Sequence, residues 1–122
     1  MDSGNTIAVR QQLLADEQQT VEQIAMVDER AREMQSPGEV AFSSDASLAD
    51  EAPLAVEREK ELALRRTLQN RLLDVRHALD KVEQGTYGRC DSCGQEISPG
   101  RLRAQPHAAL CITCKARLER VR

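Results

Sequence analysis

The sequence predicts a mainly α-helical chain: a long antiparallel two-helix hairpin of coiled-coil type, followed by a small C-terminal module built around cysteines. Three observations lead there. Two long stretches carry apolar residues at three- and four-residue steps, aromatic residues are nearly absent, and four cysteines form two C-x2-C pairs near the C-terminus. With only Phe42 and Tyr87 as aromatics among 122 residues and no Trp, a large globular core is not available. The 30% of charged residues suits helices exposed to solvent along much of their surface.

The first helix is expected from about Asn5 to Gln35, a stretch with neither Gly nor Pro. Ile7, Leu14 and Val21 repeat at seven residues, and Ile24, Val27, Ala31 and Met34 continue the stripe. Ser36-Pro37-Gly38 stops it. The second is expected from about Pro53 to Gln84, with Leu68, Leu72, Val75, Leu79 and Val82 at alternating four- and three-residue spacing, and Gly85 ends it. At about 1.5 Å per residue each helix would be on the order of 45 Å long. Neither stripe can be buried by its own helix, so the two are expected to fold back on each other, residues 1–84 forming the hairpin and 85–122 the cysteine module with a short C-terminal helix. Arg10, Glu17 and Arg65 fall at or near seam positions, and pairing between two chains is the alternative arrangement.

The connection, about 36–52, is small, polar and acidic, with Asp45, Asp50 and Glu51 late in it. Two roles fit. Ser47 or Asp50 can cap the second helix, with Pro53 in its first turn and the carboxylates favoured by the helix dipole. Held at the end of a rod, the same carboxylates can act as a probe.

Cys90-x2-Cys93 and Cys111-x2-Cys114 are separated by 17 residues. Each C-x2-C turn brings two thiolates to one ion, and two such turns about 15 to 20 residues apart supply the four sulfurs of a tetrahedral structural zinc site. Gly88 and Gly94 flank the first pair, where a chain bending around a metal needs positive φ. The competing readings are two disulfides, which belong to secreted chains, and a redox C-x-x-C, which calls for one motif in a thioredoxin-like setting. His107 lies between the pairs, but four cysteines close the shell without it, and a packing or surface role is expected.

Charge divides unevenly. Residues 1–63 carry 14 acidic and 5 basic side chains, net −9, and residues 64–122 carry 6 acidic and 12 basic, net +6. Two ends of opposite sign suggest a protein that meets different surfaces with each. There is no dense Lys/Arg run and almost no aromatic to stack bases, so direct DNA binding is not expected. No apolar run approaches the roughly 18 residues of a membrane span. The N-terminus, Met1-Asp-Ser-Gly-Asn-Thr6, lacks the basic and apolar regions of a signal peptide. A soluble, cytoplasmic protein without membrane partners is therefore expected.

Gly85-Thr-Tyr-Gly88, Cys90-x2-Cys93-Gly-x-x-Ile97, Arg101-Leu-x-Ala104, Pro106 and Leu110-Cys111-Ile-x-Cys114-Lys115 together resemble the zinc-finger signature of the DksA/TraR family of bacterial RNA polymerase regulators. With Glu57-Arg-Glu-Lys60 and the second helical stripe, the resemblance covers most of residues 45–120. It implies a hairpin that enters the secondary channel of RNA polymerase, with a tip bearing Asp-x-x-Asp-x-Ala near the catalytic magnesium. Here the tip reads Ser47-Leu-Ala-Asp50-Glu51-Ala52, so Asp50 and Ala52 match and Ser47 stands in place of the first Asp. The resemblance also implies an alarmone (ppGpp) contact at Lys115. Gln105 replaces an arginine of that set and Asp74 occupies a basic helix position. Losing a cationic donor to phosphate forfeits about 1.5 to 3 kcal/mol, so ppGpp synergy is expected to be weak or absent.

The function expected is therefore binding, not catalysis: a transcription regulator acting through the polymerase secondary channel on open-complex stability. No Ser/His/Asp or Cys/His constellation stands out, and a zinc ion with four thiolates keeps no position open for water. Two other readings make different predictions. A zinc-stabilised coiled-coil adaptor for another protein would tolerate substitutions at the tip, and a DNA-binding zinc module would bind free duplex with steep salt dependence.

Overall fold

The computed structural model describes residues 3–34 and 47–121, with side-chain surroundings for 5–33 and 55–120. Four helices follow one another: α1 Ser3–Met34, α2 Ser47–Gln84, α3 Pro99–Ala104 and α4 Ile112–Val121. The mainly helical architecture matches the expectation, with two long helices ahead of a cysteine-rich module and a short last helix. The chain divides into two compact units, one of Met1–Gln18 with Leu72–Arg122, the other of Gln19–Arg71.

In the first unit the beginning of α1 lies antiparallel to the end of α2. Leu13, Val75 and Ala78 are its buried centre, and Val9, Leu79, Val82 and Tyr87 pack around them. Arg76 donates to Glu17 at 3.0 Å on the flank. In the second unit Thr20, Val27 and Leu68 are buried. Arg65 Nε lies 2.8 Å from Asp28, and Arg30 lies 3.6 Å from Glu61, again an antiparallel order.

The first half of α1 differs in phase from the expected stripe. Ile7, Leu14 and Val21 are exposed, by 60%, 44% and 40%, while Leu13 and Thr20 occupy the seam one residue earlier. Further along the expected residues hold, with Val27 buried and Ile24 and Ala31 partly so. Leu13 and Leu14 are adjacent and equally apolar, so composition alone does not choose between the two stripes. Packing does: the chosen phase lets Leu13 meet Val75 and Ala78 while Glu17 reaches Arg76. A threonine at the seven-residue step then enters the seam, where an apolarity count finds nothing. On α2 the expected stripe holds, with Leu68 and Val75 buried and Leu72, Leu79 and Val82 partly so.

The start of α2 also differs. The helix begins at Ser47, six residues before the expected Pro53, so Ser47, Asp50, Glu51 and Ala52 are helical. Pro53 sits in the second turn instead of the first, where its missing N–H deletes one i to i−4 bond. Asp45 and the connection 36–46 lie outside the described residues.

The exit from α2 is a Schellman closure. Gly85, at φ +77°, donates its N–H to Val82 O, and Thr86 donates to Lys81 O. Glycine is required there for its backbone conformation alone, since a Cβ would meet nothing within 4 Å.

Candidate metal centre and helix tip

The first cysteine pair sits in a short hairpin turn. Ile97 N–H donates to Gly88 O at 2.7 Å, Cys90 N–H to Gln95 O at 2.8 Å, and Gly94 N–H to Cys90 O at 3.0 Å, with a bridge between Arg89 and Glu96. Gly94 turns the chain at φ +74°. The second pair is set by α4. Cys111 occupies the position before that helix, and its sulfur accepts the N–H of Cys114 at 3.4 Å, as an N-cap side chain does. Between them Ser98 caps α3, with Pro99 at its first position. Arg101 on α3 donates to Leu110 O at 2.9 Å, tying this helix to the residue before Cys111.

These turns bring all four sulfurs within 4.8 Å of one another, and Cys93 and Cys111 are 3.9 Å apart. Zinc–sulfur bonds of about 2.3 Å in a tetrahedron place sulfurs about 3.8 Å apart, so the residues fit one structural zinc ion. No pair forms a disulfide. Cys90 and Cys114 are buried with Ile97, and Leu102, Leu110 and Cys111 pack against them. Burial pushes the Cys90 thiol up, but backbone N–H groups of Cys111, Cys93 and Ser92 outweigh it and hold the thiol down at about 6. Cys114 is pushed up to about 12, first by its hydrogen bond with Cys111. When bound, zinc supplies the positive charge that makes four thiolates compatible in so small a volume.

His107 stays outside this shell, as expected, and is half-buried. Tyr87 donates to Pro106 O at 2.8 Å, and burial raises its phenol above the ordinary value. Lys115 is exposed on α4, Gln105 is exposed at the C-cap of α3, and Asp74 is exposed on α2.

Sequence reasoning passed over three residues next to the metal site. Asp91, between Cys90 and Cys93, accepts from Lys81 at 2.9 Å on one oxygen and meets His77 Nε2 at 2.7 Å on the other. The readable signal was a Lys and a His four residues apart, hence on one face, at the end of the helix leading into the cysteines. Among the described residues, no helix is long and apolar enough to cross a membrane.

Comparison with known proteins agrees with this geometry. Residues 85–120 match the prokaryotic dksA/traR C4-type zinc finger. General stress protein 16O of Bacillus subtilis is 34% identical over 82 residues, 67% of this chain and 50% of that protein. The RNA polymerase-binding transcription factor DksA of Caulobacter vibrioides is 33% identical over 90 residues, 74% of this chain and 63% of that protein. DksA of Escherichia coli is 45% identical over 67 residues, 53% and 44% of the respective chains. The chain thus spans about half the length of the curated relatives it matches. The solved structure of transcription factor DksA2 from Pseudomonas aeruginosa superposes with a TM-score of 0.78 at 29% identity, over 98% of this chain and 87% of that one. A four-cysteine zinc centre of this signature, entered from a long helix and matched together with the preceding helices, places the chain in the DksA/TraR family.

Proposed function

We propose that this protein is a transcription regulator that binds bacterial RNA polymerase directly. The observation that carries the reading is the joint likeness of zinc module and both long helices to DksA2. Relatives named RNA polymerase-binding transcription factors support it. On this reading residues 1–84 form the arm and 85–122 its base. The arm enters the polymerase secondary channel and carries Asp50, with Ser47, Glu51 and Ala52 beside it and Asp45 just before, toward the active-site region. There a carboxylate needs only a different affinity for two polymerase states to change the lifetime of the open complex. The start of α2 at Ser47 supports a rigid tip, because Asp50 is then carried on helical backbone.

The action is binding, not catalysis. Cys90, Cys93, Cys111 and Cys114 saturate a four-coordinate ion, and its part is to fold the module. Lys115, Gln105 and Asp74 supply one cation, one neutral amide and one opposing charge where an alarmone contact would need cations. Weak or absent ppGpp synergy is the consequence, and an inhibition that deepened with ppGpp as strongly as for a relative with the full basic set would refute it.

The direct experiment is co-purification of the zinc-loaded protein with RNA polymerase core, comparing wild type with Asp50→Asn and timing open-complex decay. Binding by both, with the lifetime effect lost in the variant, is expected. Failure of both to bind would favour an adaptor for another protein.

A further inference from the structure

Lys81 is among the most buried charged side chains described, with 7% of its side chain exposed. A buried ammonium costs several kcal/mol unless its donors are satisfied, so the acceptors it has found show what holds it there. Both belong to the first cysteine turn. Its Nζ donates to Arg89 O at 2.5 Å, the carbonyl just before Cys90, and to Asp91 Oδ1 at 2.9 Å, just after it. His77, one turn earlier on α2, meets the other oxygen of Asp91. The backbone of Asp91 continues the link, donating its N–H to Ala109 O at 2.8 Å on the approach to Cys111. One helix face therefore grips both sides of Cys90, and the gripped residue reaches across to the second cysteine pair.

We infer that Lys81, with Asp91 and His77, is the positioning device that keeps the Cys90 turn closed on its metal, so that it governs how slowly zinc leaves. Opening that turn requires Asp91 to leave Lys81, which strands a buried cation. The same cation lies beside a centre whose four thiolates leave a net charge of about −2, and it offsets part of that charge. Partners of this kind outside the ligand shell are worth about 10 to 100-fold in metal affinity.

The test follows zinc transfer from the full-length holoprotein to 4-(2-pyridylazo)resorcinol at neutral pH. Lys81→Met and Asp91→Asn should each release zinc about 10 to 100-fold faster. The double variant should be no faster than the faster single one, since both remove the same contact. Arg76→Ala, which breaks the Arg76–Glu17 pair in the same unit, should release at the wild-type rate. Cobalt substitution reports, through its tetrahedral thiolate absorption, that each variant still forms the centre. Wild-type release from Lys81→Met, or equal acceleration by Arg76→Ala, overturns the inference. If Lys81→Met cannot take up metal at all, the near-isosteric Asp91→Asn decides alone, and a wild-type rate there overturns it equally.

Discussion

In the unit of Met1–Gln18 and Leu72–Arg122, Leu13 and Val75 are fully buried, and the cysteine cluster adds a second buried group within the same body. Among the described residues of the unit Gln19–Arg71, those buried are Thr20, Val27 and Leu68. Beside Val27 a groove of about 230 Å³ is lined by Ala31, Leu62 and the charged Asp28, Glu61 and Arg65. Glu61 keeps one buried oxygen without a hydrogen bond, and Arg65 Nε, although close to Asp28, is not aligned to donate. The first unit is held by burial and metal ligation, which are strong and cooperative. The described part of the second, residues 19–33 and 55–71, is held by a thin seam and ion pairs worth little each. Of the described residues, these should therefore open locally first, and the metal-bearing unit should be the last to yield.

The largest expected effect is loss of zinc. Chelation, or Cys114→Ser, should unfold residues 85–121, because binding free energies of about 10 to 16 kcal/mol for such ions are folding free energies. Amide exchange should lose its protection in that segment well before it changes in residues 19–33. Equal loss in both regions would break the contrast between the units.

Next comes the paired test of adjacent leucines. Leu13→Ala removes a fully buried side chain and should cost about 3 to 5 kcal/mol in denaturant unfolding, while Leu14→Ala should stay within about 0.5 kcal/mol. The reverse order would mean that α1 packs in the phase its apolar residues alone suggest.

A smaller effect is expected at Asp91, whose carboxyl lies below its ordinary 3.8. Burial raises it, and the hydrogen bonds and charges of Lys81 and His77 overcome that. A group depressed in the folded state stabilises fully above its unfolded value and loses that contribution as pH falls through the folded one. The stability difference between wild type and Asp91→Asn should thus be flat near neutrality and shrink below about pH 4. Thermal melts of the two holoproteins, taken from neutrality down to the lowest pH at which both still hold zinc, check the flat region and the onset of the decline. Smallest is Arg65→Ala in the other unit. It should cost about 0.2 to 1 kcal/mol and become nearly silent in high salt, because Arg65 and Asp28 are both partly solvated.

Much of this was legible beforehand because it is local or metric. The C-x2-C spacing sets which sulfurs can reach one ion. The α2 stripe from Leu68 to Val82 has no competing phase, and Gly85 can only end a helix in that conformation. The α1 seam was legible around Val27 but not in its first half, because Leu13 and Leu14 offer two phases of equal apolarity. Thr20, a polar residue in a buried position, hides the true one. The start of α2 was missed because Pro53 and a run of small acidic residues signal a boundary more loudly than a second-turn proline. Among the candidate site residues, the four cysteines could be found from spacing. Lys81 and His77 show only as a pair on one face of the helix before the cysteines, and nothing in a lysine's own neighbourhood reveals that it will be buried against Asp91, ten positions on.

The sequence by itself determined the metal, the helical class and the family, because ligand spacing, helix period and glycine conformation depend on a few neighbouring residues. Only the tertiary structure decided which stripe of α1 faces inward and which cation guards the cysteine turn. Both are settled by competition among nonlocal contacts for one buried volume, and the winner depends on side chains far away in the chain.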